Sequence, residues 1–206
     1  MAYQADVLLV TVTKVESKAV LDAFAEATKQ KAKPFEIDGR TYFELGAING
    51  APVCMTQSEM GAGGLDASLL TVQKGIDSLS PAAVIMVGIA FGVDASWQKI
   101  GDILVSENLR PYELQRVGTP GITLRTDRPK ASTRLLSRMK SADLDWDGAT
   151  VRFGVVLSGA KLVDNIDFRT QILQFEPEAI GGEMEGAGLY AASHDRKVDW
   201  ILVKAI

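Results

Sequence analysis

Val7-Leu8-Leu9-Val10-Thr11-Val12-Thr13 is an unbroken apolar, β-branched run near the start of the chain. A half-buried strand alternates apolar with polar residues; a continuous run reads as a parallel strand covered on both faces. Val15, Ala19, Ala23, Phe24 and Ala27 follow at helical spacing, which predicts an amphipathic helix over residues 15–29. Working outward, the alternation continues. A helical pattern at Leu65, Leu69, Val72 and Ile76 leads to a second buried strand, Ala83–Ile89, and Asp102–Ser106 reads as a third. Ser132–Lys140 is expected as helix, Val151–Leu157 as strand and Asp167–Phe175 as helix. Ala179–Gly182 is a short strand leading into a helix from Glu183 to Asp195, and Trp200–Lys204 is a last strand. Thr41–Ile48 and Pro52–Gln57 meet at Asn49-Gly50, a strong hairpin signal. Residues 110–131, rich in Arg, Pro, Gly and Thr, form a long excursion. Strands alternating with helices argue an α/β fold around a mainly parallel sheet. With no repeat and no low-complexity linker, residues 1–206 read as one domain.

Composition narrows the function. Of the 206 residues 47% are hydrophobic, enough for one well-buried core. With 22 basic and 26 acidic residues the net charge is -4, which disfavours nucleic acid as a partner. The single cysteine, Cys54, excludes a disulfide scaffold and an all-cysteine metal site. The single histidine, His194, excludes two- and three-histidine metal sites and disfavours a Ser-His-Asp hydrolase. No metal and no cofactor is expected. The N-terminus has no basic stretch before Val7, and Val7–Val12 is too short to span a bilayer. The expectation is a soluble cytoplasmic protein acting on a small molecule, with neither membrane nor nucleic acid as partner. The chain stops as its last strand ends, with no helix to cover it, so a cut at the C-terminal end is expected.

In an open α/β sheet, ligands bind beyond the carboxyl ends of strands. Four such ends carry suggestive residues: Thr11–Glu16, the glycine cluster 61–64, Gly88-Ile89-Ala90-Phe91-Gly92, and Gly181-Gly182-Glu183-Met184-Glu185-Gly186-Ala187-Gly188. In the last, two carboxylates flank one methionine and glycines flank all three. Glycine costs a helix about 1 kcal/mol against alanine, so a purely structural helix start would not need so many. Two acids at a helix start also complement its dipole, and the residues alone leave both readings open. Carboxylates suit a ribose diol, since each can accept from adjacent hydroxyls.

These segments carry a resemblance. Gly182-Glu183-Met184-Glu185-Gly186, Val87-Gly88-Ile89-Ala90-Phe91-Gly92, Ile100-Gly101-Asp102-Ile103-Leu104-Val105-Ser106 and Ser158-Gly159 occur in an order and spacing similar to the nucleoside phosphorylase and nucleosidase family. The branch most like it is the methylthioadenosine/adenosylhomocysteine nucleosidases. The resemblance implies a three-layer α/β/α sandwich around a mixed, mainly parallel sheet, and cleavage of the N-glycosidic bond of nucleosides. It implies that Met184 and Glu185 hold the ribose, with Glu185 on its 2′- and 3′-hydroxyls. It also implies a base and sugar pocket built from Ala90, Phe91, Leu162, Val163 and Glu183.

The family divides by nucleophile. Phosphorylases hold a phosphate anion, which needs arginine or dense donors. Bacterial hexameric members have an Arg two residues before the glycine of the second-strand turn and a Ser just after it; this chain has Met86 and Ile89 there. In the hydrolases a glutamate after strand one activates water, and Glu16 stands at that spacing. The resemblance thus favours hydrolysis that releases a purine, adenine above all, with a phosphorylase or a non-catalytic nucleoside sensor as alternatives. The family's general acid, an Asp shortly after the last strand, would fall two positions past Ile206. The 5′ side is unusually polar and basic: Thr11, Thr13, Lys14, Lys18, Arg110 and Arg116 are candidate contacts for a 5′-phosphate. Some family members are defence effector domains that cleave adenine from ATP and are fused to further domains. Family members also build part of the 5′ pocket from a neighbouring subunit, so a homodimer or larger homo-oligomer is expected, with residues 110–130 as donor.

Overall fold

The computed structural model describes residues 4–118, 121–161, 173, 174 and 176–206. The elements run β1 (Val7–Thr11), α1 (Lys14–Thr28), β2 (Lys33–Ile37), β3 (Arg40–Ile48), β4 (Ala51–Gln57), α2 (Ser68–Leu79), β5 (Ala83–Ile89) and β6 (Phe91–Gly92). They continue β7 (Ile103–Pro111), β8 (Gln115–Gly118), β9 (Gly121–Leu124), α3 (Thr133–Asp143), β10 (Val151–Ser158), β11 (Ala179–Glu183), α4 (Gly186–Arg196) and β12 (Asp199–Ala205). Among the described residues no helix is long and apolar enough to cross a membrane.

One large sheet runs in the order β2-β3-β4-β1-β5-β12-β7-β10-β11-β6. β4, β1, β5 and β12 are parallel, as are β7, β10 and β11, and the two sets meet antiparallel at β12 and β7. β6 continues β5 beyond Ala90 and pairs with β11, Gly181 opposite Gly92. The strands from β5 round to β6 therefore close on themselves, and that closure draws the end of β11 to the end of β5.

Period-two side-chain alternation explains why β1 is apolar throughout. Leu8 and Val10 join the core with Val72, Ile76 and Leu79 of α2, while Leu9 faces Val20 and Phe24 of α1. α2 and α4 pack together on one face of the sheet; Met139 of α3 lies over the same face as α1. This is the expected three-layer α/β/α sandwich.

Several boundaries differ from the sequence reading. β2 carries proline and alternating charge, so it gives little strand signal; it forms at the sheet edge because Asp38 and Gly39, at φ 50° and 72°, make a tight turn into β3. α2 starts at Ser68, and Leu65 is exposed in the loop before it. α4 starts at Gly186, because Glu183 still belongs to β11, opposite Ser158. β7 extends to Pro111, and the excursion after it holds the β8–β9 hairpin. The helix expected over 167–175 lies, apart from residues 173 and 174, outside the described residues.

Candidate active site

The ends of β1, β5 and β11 border one cavity of about 360 Å³. Thr13, Glu16, Ala90, Phe91, Glu183, Met184 and Glu185, all expected from the sequence, line it together.

Glu16 is the third residue of α1 and completes a capping box with Thr13: the Thr13 Oγ1 accepts from the Glu16 N–H at 3.2 Å and Glu16 Oε2 accepts from the Thr13 N–H at 2.7 Å. A cap alone would end there. Glu16 Oε2 also accepts from the Val12 N–H at 2.8 Å, and Oε1 accepts from the Ile89 N–H at 3.0 Å. Three backbone donors from two strand ends fix a carboxylate that has about four lone-pair sites, leaving about one for a ligand. Gly88 makes room for it. A Cβ there would stand 2.8 Å from both Glu16 Oε1 and Lys204 Nζ.

The two acids of Glu183-Met184-Glu185 have different work. Glu183 spends both oxygens on backbone, accepting from the Glu185 N–H at 2.8 Å and the Gly186 N–H at 2.9 and 3.0 Å. It caps α4, so although it borders the cavity its carboxylate has few sites left for a ligand. Burial pushes its carboxyl upward, against the pull of Lys204. Glu185 is held at one point on each oxygen: Gly61 N–H donates to Oε1 at 3.1 Å and Lys204 Nζ to Oε2 at 3.0 Å. Its carbonyl accepts from Ser68 Oγ at 2.8 Å, which ties it to the start of α2.

Lys204 was missed by the sequence reading. Its side chain is 1% exposed, 3.0 Å from Glu185 and 3.7 Å from Glu183. Burial pulls the ammonium down, but Glu183 and Glu185 outweigh it and hold the group above its ordinary value. The available signal was one charge within Trp200-Ile201-Leu202-Val203-Lys204-Ala205-Ile206, a run otherwise apolar after its start and buried in a central strand.

The basic residues expected at the 5′ side do not gather at the cavity. Lys14, Lys18 and Arg116 are exposed and are not among the residues that border it. Arg110 is engaged elsewhere: Nη1 donates to the Thr126 carbonyl at 2.5 Å and Nε lies 3.5 Å from Glu176. Among the described lining residues the cation is Lys161, 3.0 Å from Glu113, and none is arginine. Met86 is fully buried in the core, while Ile89 borders the cavity. Leu162 and Val163 lie outside the described residues.

The Phosphorylase superfamily matches as a family over residues 7–206. The "Death domain-containing ATP nucleosidase" of Amphimedon queenslandica is 28% identical over 225 residues, covering 97% of this chain and 42% of that protein. The chain thus spans less than half the length of that relative. A 5′-methylthioadenosine/S-adenosylhomocysteine nucleosidase of Haemophilus influenzae is 31% identical over 166 residues, covering 78% of this chain and 70% of that protein. The solved Neisseria meningitidis enzyme of the same name, in complex with methylthio-immucillin-A, superposes with a TM-score of 0.78 at 19% identity, covering 97% of this chain and 84% of that one. With a match that runs from β1 to its last residue, and with the same architecture, the chain belongs to the phosphorylase superfamily.

Proposed function

We propose that the chain hydrolyses the N-glycosidic bond of a purine nucleoside or nucleotide and releases free adenine. The observation that carries this is the pair of buried carboxylates, Glu16 and Glu185, held in unlike ways at one cavity. Glu185 has an oxygen edge suited to the 2′- and 3′-hydroxyls, with Lys204 behind it balancing its charge. Glu16 is held by backbone donors alone and keeps about one acceptor site, which suits a water molecule. As the bond from C1′ to the base nitrogen breaks, positive charge develops on the sugar in an oxocarbenium-like state. The water oxygen bonds to C1′ and its proton passes to Glu16 as general base. The base leaves with the bonding electron pair and takes up a proton from solvent, and Glu16 returns to solvent the proton it received, so the overall change is the addition of one water. Met184, Ala90 and Phe91 shape the wall against sugar and base.

The absence of arginine among the described lining residues speaks for water over phosphate as nucleophile. The names of the Amphimedon and Haemophilus relatives agree in adenine nucleosides and nucleotides as a class. The test is incubation with adenosine, methylthioadenosine, AMP and ATP, each with and without phosphate, with free base followed by chromatography. Adenine release without phosphate is the expected result; release only with phosphate, or none from any substrate, would overturn the reading. We infer self-association as well, with the β8–β9 hairpin, which stands outside the main sheet, as the contributing element. A monomer by light scattering that still cleaves substrate would refute it.

A further inference from the structure

The geometry points to Arg40 as a positioning residue for both cavity carboxylates, an inference that rests on the function proposed above. Arg40 opens β3, just after the Asp38-Gly39 turn, and is not among the residues that line the cavity. Its side chain is nonetheless only 10% exposed. Nη1 donates to the Gln57 carbonyl at 3.3 Å and Nη2 to Asp66 Oδ1 at 2.8 Å. A hydrogen-bonded path leads from each partner to one carboxylate.

The first path runs through Gln57, the last residue of β4. Its side-chain Nε2 donates to the Val12 carbonyl at 2.7 Å, at the end of β1. The N–H of that same Val12 donates to Glu16 Oε2 at 2.8 Å. The second path runs through Asp66. Its backbone carbonyl accepts from the Glu59 N–H at 2.8 Å and from Thr71 Oγ1 at 2.9 Å, which closes the loop 59–66 against α2. Inside that loop the Gly61 N–H donates to Glu185 Oε1 at 3.1 Å. One guanidinium therefore holds the end of β4, whose Gln57 side chain fixes Val12, and the loop 59–66, and each side leads to a backbone donor of a different carboxylate.

The residue type fits this task. A planar guanidinium reaches two acceptors in fixed directions, whereas an ammonium cannot reproduce that fork. A stability role fits less well. Asp66 is 61% exposed, and such a pair contributes little to folding. Arg40 Nε is also buried without a hydrogen-bond partner, a cost that a surface arginine need not carry.

The experiment compares Arg40→Ala, Arg40→Lys, Gln57→Met and Asp66→Ala with the unaltered protein. Three quantities are read: kcat and KM for adenine release, melting temperature, and amide hydrogen exchange at Val12 and Gly61 by NMR. Misplacing a catalytic group by a fraction of an ångström costs roughly tenfold or more. Gln57→Met is expected to lower kcat about tenfold with KM nearly unchanged. Asp66→Ala should raise KM about tenfold with a smaller change in kcat. Arg40→Ala should do both and speed exchange at both amides; Arg40→Lys should restore only part. Rates within twofold of the unaltered protein with unchanged exchange would overturn the brace. So would equal losses in all variants that track a fall in melting temperature. Should Arg40→Ala fail to fold, Arg40→Lys and Asp66→Ala, each of which alters a contact of the guanidinium, decide. Should the unaltered protein release no base, the proposed function fails, and the exchange rates alone decide the brace.

Discussion

Glu185 divides its carboxylate between Gly61 and Lys204 and, on the proposed reading, presents the remaining edge to a ribose diol. Glu185→Gln keeps the shape and one acceptor oxygen but loses the charge. Each hydrogen bond to a charged group is worth about 1.5–3 kcal/mol, so activity should fall at least about tenfold. Stability should fall too, by about 1–3 kcal/mol, because Lys204 loses its nearer partner. Steady-state rates and urea unfolding on the same preparation check both. Lys204→Met is the sharper stability test: it leaves Glu183 and Glu185 buried without a counter-charge and should cost about 3–5 kcal/mol. The raised Lys204 ammonium adds a pH signature. Its contribution is whole below the ordinary lysine value of 10.5 and is lost as pH rises through the higher folded value. Urea unfolding above pH 10.5 should therefore weaken the unaltered protein more steeply than Lys204→Met. Glu16 and Glu185 were legible as candidates in the sequence because a strand end and glycines mark their segments and the family resemblance singles them out. Lys204 was not, since the acids it pairs with, Glu183 and Glu185, meet it only through the strand pairing and no local pattern joins them. Lys14 and Lys18 lie four apart on an exposed helix face and do not border the cavity, while Glu16 and Val20 occupy the buried face.

At the scale of elements, the cavity depends on strands approaching closer than side chains would allow. Gly88 has an ordinary backbone conformation, so its need is steric rather than conformational. Gly88→Ala should fold and still lose activity, at least about tenfold, because the new methyl group displaces Glu16 or Lys204. Circular dichroism alongside the rate assay checks it; full activity would show that the pair can shift without consequence. At the other wall, a Cβ on Gly182 would run into the Phe91 ring, so with Phe91 on β6 the facing position on β11 needs glycine. The glycine clusters were plain in the sequence, but their partners were not, because β6 and β11 are nearly ninety residues apart. β2 escaped for a local reason: an edge strand buries little and alternates weakly, leaving the Asp38-Gly39 turn as its best marker. The α4 boundary was misplaced because an acid beside a helix start reads as its first turn, whereas Glu183 caps the helix from the preceding strand.

For the whole molecule, the three-layer arrangement follows from β1: an unbroken apolar strand must be covered on both faces, and α1 and α2 cover it. That much was legible. The antiparallel seam between β12 and β7, and the return of β6 to β11, were not, because strand order is set by contacts between distant segments that no local pattern records. The parallel pairings of β1 with β5 and of β5 with β12 set Glu16 and Lys204 side by side, and the return of β6 to β11 brings Glu185 to them, so only the last of the three depends on the least legible part of the fold. Hydrolysis at that site is the central claim. Its most direct test is to run the reaction in ¹⁸O-labelled water, with and without phosphate, and to analyse the sugar product by mass spectrometry. Hydrolysis gives free adenine together with a reducing sugar that carries one ¹⁸O at C1′, formed at a rate indifferent to phosphate. Unlabelled ribose 1-phosphate, formed only when phosphate is present, would contradict it.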